Sequence, residues 1–224
     1  MRVLLVTATE TEAGIIRKFF VPDKKTDSYI AGNKSVDLLV TGVGAVATAW
    51  ALTRWFSTES RPDLAINAGI AGSFMDDIKT GDVVMPVLDC FADSGIETAS
   101  GFLALYESGL QDPWTYPFTN GKISAVNRYV EQAALKFRPV TAITVNTVTG
   151  TAATARKLFL KYYPDIETME GAAFFYVCSM EKVPYMALRA VSNKVGPRNR
   201  GKWDIKLALD NLSVALKDIL TTIN

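Results

Sequence analysis

Residues 168–204 read TMEGAAFFYVCSMEKVPYMALRAVSNKVGPRNRGKWD, and the rest of the chain is best understood from this unit. Residues 170–182 have the length and composition of a buried helix, and after Pro184 the short apolar run 185–191 suits a strand covered on both faces. Met169 and Glu170 stand at the helix start, and Ser192 and Asn193 at the strand end. A carboxylate at one end of a helix–strand unit and an amide at the other is an arrangement for holding a small polar molecule. A plainer reading of Glu170 also exists, because an acid in a first turn complements the helix dipole.

Upstream, residues 2–8 are a β-branched, leucine-rich run suited to a buried strand, and residues 9–20 carry Ala13, Ile16, Phe19 and Phe20 at helical spacing. Thr9 and Glu12 match a capping box, so Glu12 serves the helix start, a ligand, or both. Residues 36–41 form the next strand, which runs into Gly42, Val43, Gly44 and a helix over about 45–59. GVGAVA fits the dinucleotide pattern GxGxxA, but that fingerprint also needs an acid at the C-terminal end of the following strand. That strand, 63–68, has Asp63 at its wrong end, so nothing is placed to hold an adenosine ribose. It leads into NAGIAG, residues 67–72, read as a second glycine-rich turn that lets backbone approach a ligand or simply packs tightly.

Residues 81–87 and 140–146 are further strands, and 127–137, 152–163 and 205–223 are helices. Between 88 and 139 the pattern loosens around Pro113, Trp114, Tyr116, Pro117 and Phe118, as in a binding loop or a subunit contact. Strands alternating with helices predict a single α/β domain over residues 1–224, built as a three-layer αβα sandwich. Ligands of such folds gather at the C-terminal ends of the strands. Glu12, the two glycine-rich turns, Ser192 and Asn193 all follow strands and are expected to converge there.

Composition narrows the chemistry. The 224 residues are 49% hydrophobic and 21% charged, with 24 basic and 23 acidic side chains, which gives no nucleic-acid surface. The partner expected is small. Two distant cysteines, Cys90 and Cys178, suggest neither a disulfide framework nor a zinc site, and the start resembles no signal peptide, so a cytoplasmic protein without a membrane span is expected. There is no histidine. Ser-His-Asp and Cys-His nucleophiles, histidine acid–base catalysis and histidine-ligated metals are therefore excluded, leaving Asp, Glu, Lys, Tyr or Cys for proton transfer.

Glu12 after a first strand, NAGIAG followed by GDVV, TMEG at a helix start and RAVSN at a strand end, in this order, resemble the purine nucleoside phosphorylase and methylthioadenosine nucleosidase superfamily. Within it TVNTVTG, IETMEGAAFF and AVSNKVGPRNR with WDI are most similar to the futalosine hydrolases of the alternative menaquinone pathway. The resemblance implies a nucleoside phosphorylase-like fold with a central twisted mixed sheet, and N-glycosidic bond hydrolysis releasing hypoxanthine, without cofactor or metal. It implies that Glu12 activates water, that Glu170 accepts bonds from the ribose hydroxyls and that Met169 lies under the sugar. Asn193 is assigned to the departing base, and Gly69, Ile70, Thr147, Val148 and Ser192 to further substrate contacts. Arg198, Arg200 and Lys202 are candidates for a carboxylate on the far end of the substrate, or else a solvated basic turn. The partners expected are a small purine nucleoside and further copies of the chain, as a dimer or larger homo-oligomer.

Departures from the superfamily pattern are informative as well. Phosphorylases carry an arginine where this chain has Asn67 and a hydroxyl residue near Ile70, both serving phosphate, so water is the expected nucleophile. Their relatives that act on adenosine have an aspartate where Asn193 stands and a stacking phenylalanine near Thr147, which leaves Phe91 or Trp203 as candidates to stack on the base. Phosphorolysis of a purine nucleoside, an adenosine-type nucleosidase activity, and binding without catalysis remain the alternatives, because a fold alone never establishes chemistry.

Overall fold

Val3, Leu4, Leu5 and Val6 have no exposed surface, because the strand they form is flanked on both sides by parallel neighbours and covered on both faces. The computed structural model describes residues 1–23, 27–99, 101–199, 201 and 203–223. In chain order its elements are β1 (Arg2–Thr7), α1 (Glu10–Phe19), β2 (Val21–Pro22), β3 (Ser28–Ala31), β4 (Lys34–Val40), α2 (Ala45–Thr58), β5 (Leu64–Ser73) and β6 (Val83–Asp89). There follow β7 (Gly95–Thr98), β8 (Gly101–Ala104), β9 (Ile123–Ser124), α3 (Arg128–Ala133), β10 (Arg138–Thr144), α4 (Ala152–Tyr162), β11 (Ile166–Thr168), α5 (Gly171–Met180), β12 (Tyr185–Lys194) and α6 (Ile205–Thr222).

Among the described residues, ten strands form one mixed sheet in the order β11-β10-β6-β12-β5-β1-β4-β3-β2, with β9 on β6. The short β11 also pairs antiparallel with β5, so one end of the sheet curls back on itself. Helix pairs α1–α6 and α2–α5 pack on its two faces. The mixed α/β architecture is the one expected. Since β1, β4, β5 and β12 run parallel, their C-terminal ends share one edge of the sheet, which is where the site residues fall.

α5 is apolar all round, as a helix sandwiched between a sheet and another helix must be. Phe174, Phe175 and Cys178 are fully buried, and each phenylalanine contributes roughly 1.5–3 kcal/mol of burial. The helix that carries Glu170 at its start is therefore held rigidly.

Three expectations are corrected. NAGIAG is not a turn: it lies inside the continuous strand β5, and neither Gly69 nor Gly72 has a positive φ. Its glycines serve close approach, since a Cβ on Gly72 would meet Val195 Cγ2 at 2.8 Å. Glu170 is not in the first turn of α5 but is its N-cap, with the helix beginning at Gly171. The helix expected over 127–137 ends at Ala133, because the chain must become extended ahead of Pro139 in β10. The strands β2, β3 and β11 are too short to show a period of two in the sequence. In the insertion, β7 and β8 form a separate hairpin, and the Tyr116 hydroxyl donates to Ser179 O of α5 at 2.7 Å.

Candidate active site

A cavity of about 340 Å³ opens at the common C-terminal edge of β1, β5 and β12. Among its lining residues are Glu12, Ile70, Val148, Met169, Glu170, Ser192 and Asn193, all singled out in the sequence. Glu12 divides its two oxygens between two tasks. Oε2 accepts from Ala8 N at 3.1 Å, Thr9 N at 2.9 Å and Thr9 Oγ1 at 2.9 Å, completing the capping box; Oε1 accepts from Ile70 N at 3.3 Å. Capping fixes the carboxylate, and the second oxygen is left beside β5 at the cavity wall. Gly69 makes this possible, because a Cβ there would lie 2.8 Å from Oε1.

Glu170 turns its side chain away from its own helix. It makes no capping bond, and its Oε1 accepts from Gly44 N, the N-cap of α2, at 2.9 Å. This gives GVGAVA its role: Gly42 and Gly44 adopt φ of 88° and 95°, which only glycine takes without strain, and they bring an unpaired N–H to Glu170. Burial raises the Glu170 carboxyl above its ordinary value, with Glu12 adding to the rise, while the Gly44 N–H and Arg189 favour the anion.

At the end of β12 the register with β5 shifts between Val191 and Asn193, a bulge at Ser192 that re-aims the two polar residues. Ser192 Oγ donates to Asn193 Oδ1 at 2.8 Å, and Asn193 Nδ2 donates to Lys194 O at 2.9 Å. Serine thereby holds the amide oxygen, and the backbone holds one N–H. Asn193 thus bonds its own strand end and lines the cavity at once.

Some expected residues are placed otherwise. Thr147 is exposed and lies outside the lining, next to Val148, which is part of it. Phe91 lines a different cavity with Tyr106 and Tyr176, whereas Trp203 lines this one and is, among the described lining residues, the aromatic ring available to a ligand. Arg198 is exposed, stacks its guanidinium 5.9 Å from the Trp203 ring and donates its backbone N–H to Gly150 O at 3.2 Å, at the margin rather than in the wall. Arg200 and Lys202 lie outside the described residues.

Two residues escaped the sequence reading. Arg189, in the middle of the apolar β12, is fully buried and donates to Asn67 O at 2.8 Å, to Asn67 Oδ1 and to Leu188 O at 3.1 Å. Burial lowers its pKa, while Glu170, Glu12 and Asp89 hold it up, so one buried cation offsets the carboxylates around the site. The signal was a lone charge in an uncharged run. Glu167 in β11 is buried, lines the cavity, and accepts from Thr149 N at 3.0 Å and from Thr149 Oγ1, tying the 145–151 loop to the sheet. Burial raises its pKa, against the two Thr149 bonds.

Three carboxylates, of Glu12, Glu167 and Glu170, line the cavity, and no lysine or arginine does so among the described residues. Asn67 is committed elsewhere, its amide nitrogen donating to Val6 O at 3.1 Å and its oxygen accepting from Arg189. Such a site is built to oppose positive charge in a ligand and is poorly suited to an inorganic anion.

The fold and this edge of paired carboxylates define a class. The chain matches the Phosphorylase superfamily over residues 2–223 and belongs to it. It is 36% identical to a futalosine hydrolase of Streptomyces coelicolor, covering 96% of this chain and 94% of that one, and 34% identical to a futalosine hydrolase of Acidothermus cellulolyticus, covering 95% and 87%. It is 31% identical to a 5'-methylthioadenosine/S-adenosylhomocysteine nucleosidase of Aeromonas salmonicida over 91% of each chain. Among solved structures the fold matches a futalosine hydrolase mutant of Helicobacter pylori with a TM-score of 0.81 at 16% identity, each chain fully covered. It also matches the nucleosidase of Streptococcus pneumoniae bound to a transition-state inhibitor, with a TM-score of 0.83 at 16% identity and full coverage of both chains.

Proposed function

We propose that this protein hydrolyses the N-glycosidic bond of futalosine, releasing hypoxanthine and dehypoxanthine futalosine in menaquinone biosynthesis. The observation that carries the reading is a cavity walled by three carboxylates with no cationic side chain among the described lining residues, in a chain whose curated relatives include futalosine hydrolases. As the C–N bond breaks, its electron pair leaves with the base and positive charge spreads over the sugar ring. Glu170 opposes that charge and accepts from the ribose hydroxyls, while Met169 packs under the ring. A water molecule adds its oxygen to the anomeric carbon and gives a proton to Glu12, whose Oε1 faces the cavity wall at Ile70. Asn193 donates from its remaining N–H to the departing 6-oxopurine, and Ile70, Val148 and Ser192 shape the pocket, while Gly69, outside the lining, leaves room for the Glu12 carboxylate.

Phosphorolysis is disfavoured by the same wall: Ile70 is apolar, Asn67 is committed to Val6 and Arg189, and no described lining residue carries a positive charge to balance phosphate. Turnover in ¹⁸O-labelled water tests this directly, since hydrolysis must leave the label on the anomeric carbon of the sugar product. Unlabelled sugar would sink the reading.

The enzyme acts in the cytoplasm as a homo-oligomer. Supporting this, Cys90 and Cys178 are free thiols, both buried, as expected of a reducing compartment, and no helix among the described residues is long and apolar enough to cross a membrane. Val43, Val46 and Trp50 form a largely exposed apolar stripe at helical spacing beside the cavity mouth, a surface suited to a second copy.

A further inference from the structure

Asp89, at the end of β6, is a buried carboxylate that the proposed reaction does not use. It sits against the N-terminus of α5, so close that a Cβ on Gly171 would lie 2.1 Å from its Oδ2. Its partners form a short relay. Gly171 N donates to Thr168 Oγ1 at 3.3 Å, and Ala172 N donates to Thr144 Oγ1 at 2.7 Å. The two hydroxyls are 3.3 Å apart, and Thr144 Oγ1 donates to Asp89, 3.1 Å from Oδ1 and 3.2 Å from Oδ2. Cys90 N also donates to Oδ1, at 2.8 Å.

The first N–H groups of any helix need acceptors, and the N-cap side chain is the usual one. Here the N-cap residue is Glu170, and its carboxylate is turned to Gly44 and the cavity instead. The first two N–H groups of α5 end on two threonine hydroxyls and, through them, on the buried carboxyl group of Asp89. The charged and titratable groups around Asp89 are Cys90 on its own strand, Arg189 from β12 and Glu170 ahead of α5. Arg189 offsets its charge and Glu170 opposes it.

We propose that Asp89 is a positioning residue for Glu170: through Thr144 and Thr168 it caps α5 in place of Glu170, which leaves the Glu170 carboxylate free for the substrate. The inference rests on the proposed role of Glu170, and its test has one arm that needs no substrate. Amide hydrogen exchange over residues 168–175 is compared in the wild type, Asp89→Ala, Asp89→Asn and Thr144→Val, together with kcat and KM for futalosine. Asp89→Ala is expected to speed exchange in this segment and to lower kcat about 10- to 100-fold, as a displaced reacting group does. KM should change less than about threefold, because the loss falls on the transition state. Asp89→Asn keeps an acceptor oxygen and should restore both readouts to within about threefold of wild type. Thr144→Val removes only the relay hydroxyl and should reproduce the faster exchange, so it carries the test if Asp89→Ala does not fold. Wild-type exchange in Asp89→Ala and Thr144→Val overturns the proposal, and so does an Asp89→Asn variant as slow as Asp89→Ala. Faster exchange in a protein that cleaves no futalosine would remove the proposed reaction and leave the cap standing.

Discussion

Gly69 touches the carboxylate of Glu12: a Cβ at this point of β5 would stand 2.8 Å from Oε1, and Arg189 Cζ would be 3.9 Å away on the same side. The strand carries glycine where a side chain would strike the residue assigned to water.

Gly69→Ala is therefore expected to push Oε1 from its place while Oε2 keeps the capping box. Because Glu12 is the end of a side chain rather than backbone, the fold should survive, and kcat should fall about 10²-fold with a smaller change in KM. Steady-state kinetics on a variant with a native circular dichroism spectrum checks it. An unchanged kcat would show that Oε1 does no chemistry in its observed position.

Asn193→Asp should sharply lower hydrolysis of futalosine and narrow its lead over aminofutalosine, the 6-amino counterpart. An amide N–H can be given to a purine carbonyl oxygen, whereas an ionised carboxylate repels it, and such mismatches can cost as much as about 10⁴-fold. Specificity constants for both substrates in both proteins decide the matter. An unchanged ratio means that base selection lies outside this residue, and that its bonds to Ser192 and Lys194 are its whole function.

Arg198→Ala tests the far end of the substrate. Its guanidinium lies over Trp203, a wall residue, so it stands where a carboxylate leaving the cavity would pass. Discrimination between futalosine and inosine should fall about tenfold or more, as loss of one charge-assisted bond implies. If the ratio holds, Arg198 is a solvated surface residue.

The sequence disclosed most of the polar residues that line this cavity because they stand in short motifs at element ends. Glu12 after β1, Glu170 before α5 and Ser192-Asn193 at the end of β12 each interrupt an apolar run, and they meet because parallel strands deliver their C-termini to one edge. NAGIAG misled for a physical reason: glycine serves turns and close approach equally well, and only the neighbouring Glu12 and Val195 show which applies. The capping box at Thr9 and Glu12 was legible, but that one oxygen caps while the other faces Ile70 depends on β5, far away in sequence. Arg189 and Asp89 were hidden for the same reason, since a buried charge reveals its partners only in three dimensions.

Stability should rise on mild acidification. Burial raises the carboxyls of Asp89, to about 7, and of Glu167 and Glu170. A carboxyl raised in the folded state binds its proton more tightly there than in the unfolded chain, so folding is favoured where it is protonated and that advantage is lost as pH rises toward the folded value. Asp76, Asp77 and Glu107 are lowered by lysine and arginine partners, and their contribution is lost only at more acidic pH, below the ordinary carboxylate range. The thermal midpoint should thus be higher near about pH 5.5 than near about pH 8, and Asp89→Asn should flatten the difference. A midpoint that climbs steadily with pH over this window would contradict the assignment of these groups.

The most direct measurement is release of free base from futalosine, inosine and methylthioadenosine, each with and without inorganic phosphate, by wild type and by Glu12→Gln. Hypoxanthine should appear from futalosine at the same rate whether or not phosphate is present, far faster than base from the other two nucleosides. Glu12→Gln keeps the shape but cannot take a proton from water, so it should lose turnover by about 10²–10⁴-fold while still binding ligand. Phosphate-dependent release, or near-normal turnover by Glu12→Gln, would contradict hydrolysis by water activated at Glu12.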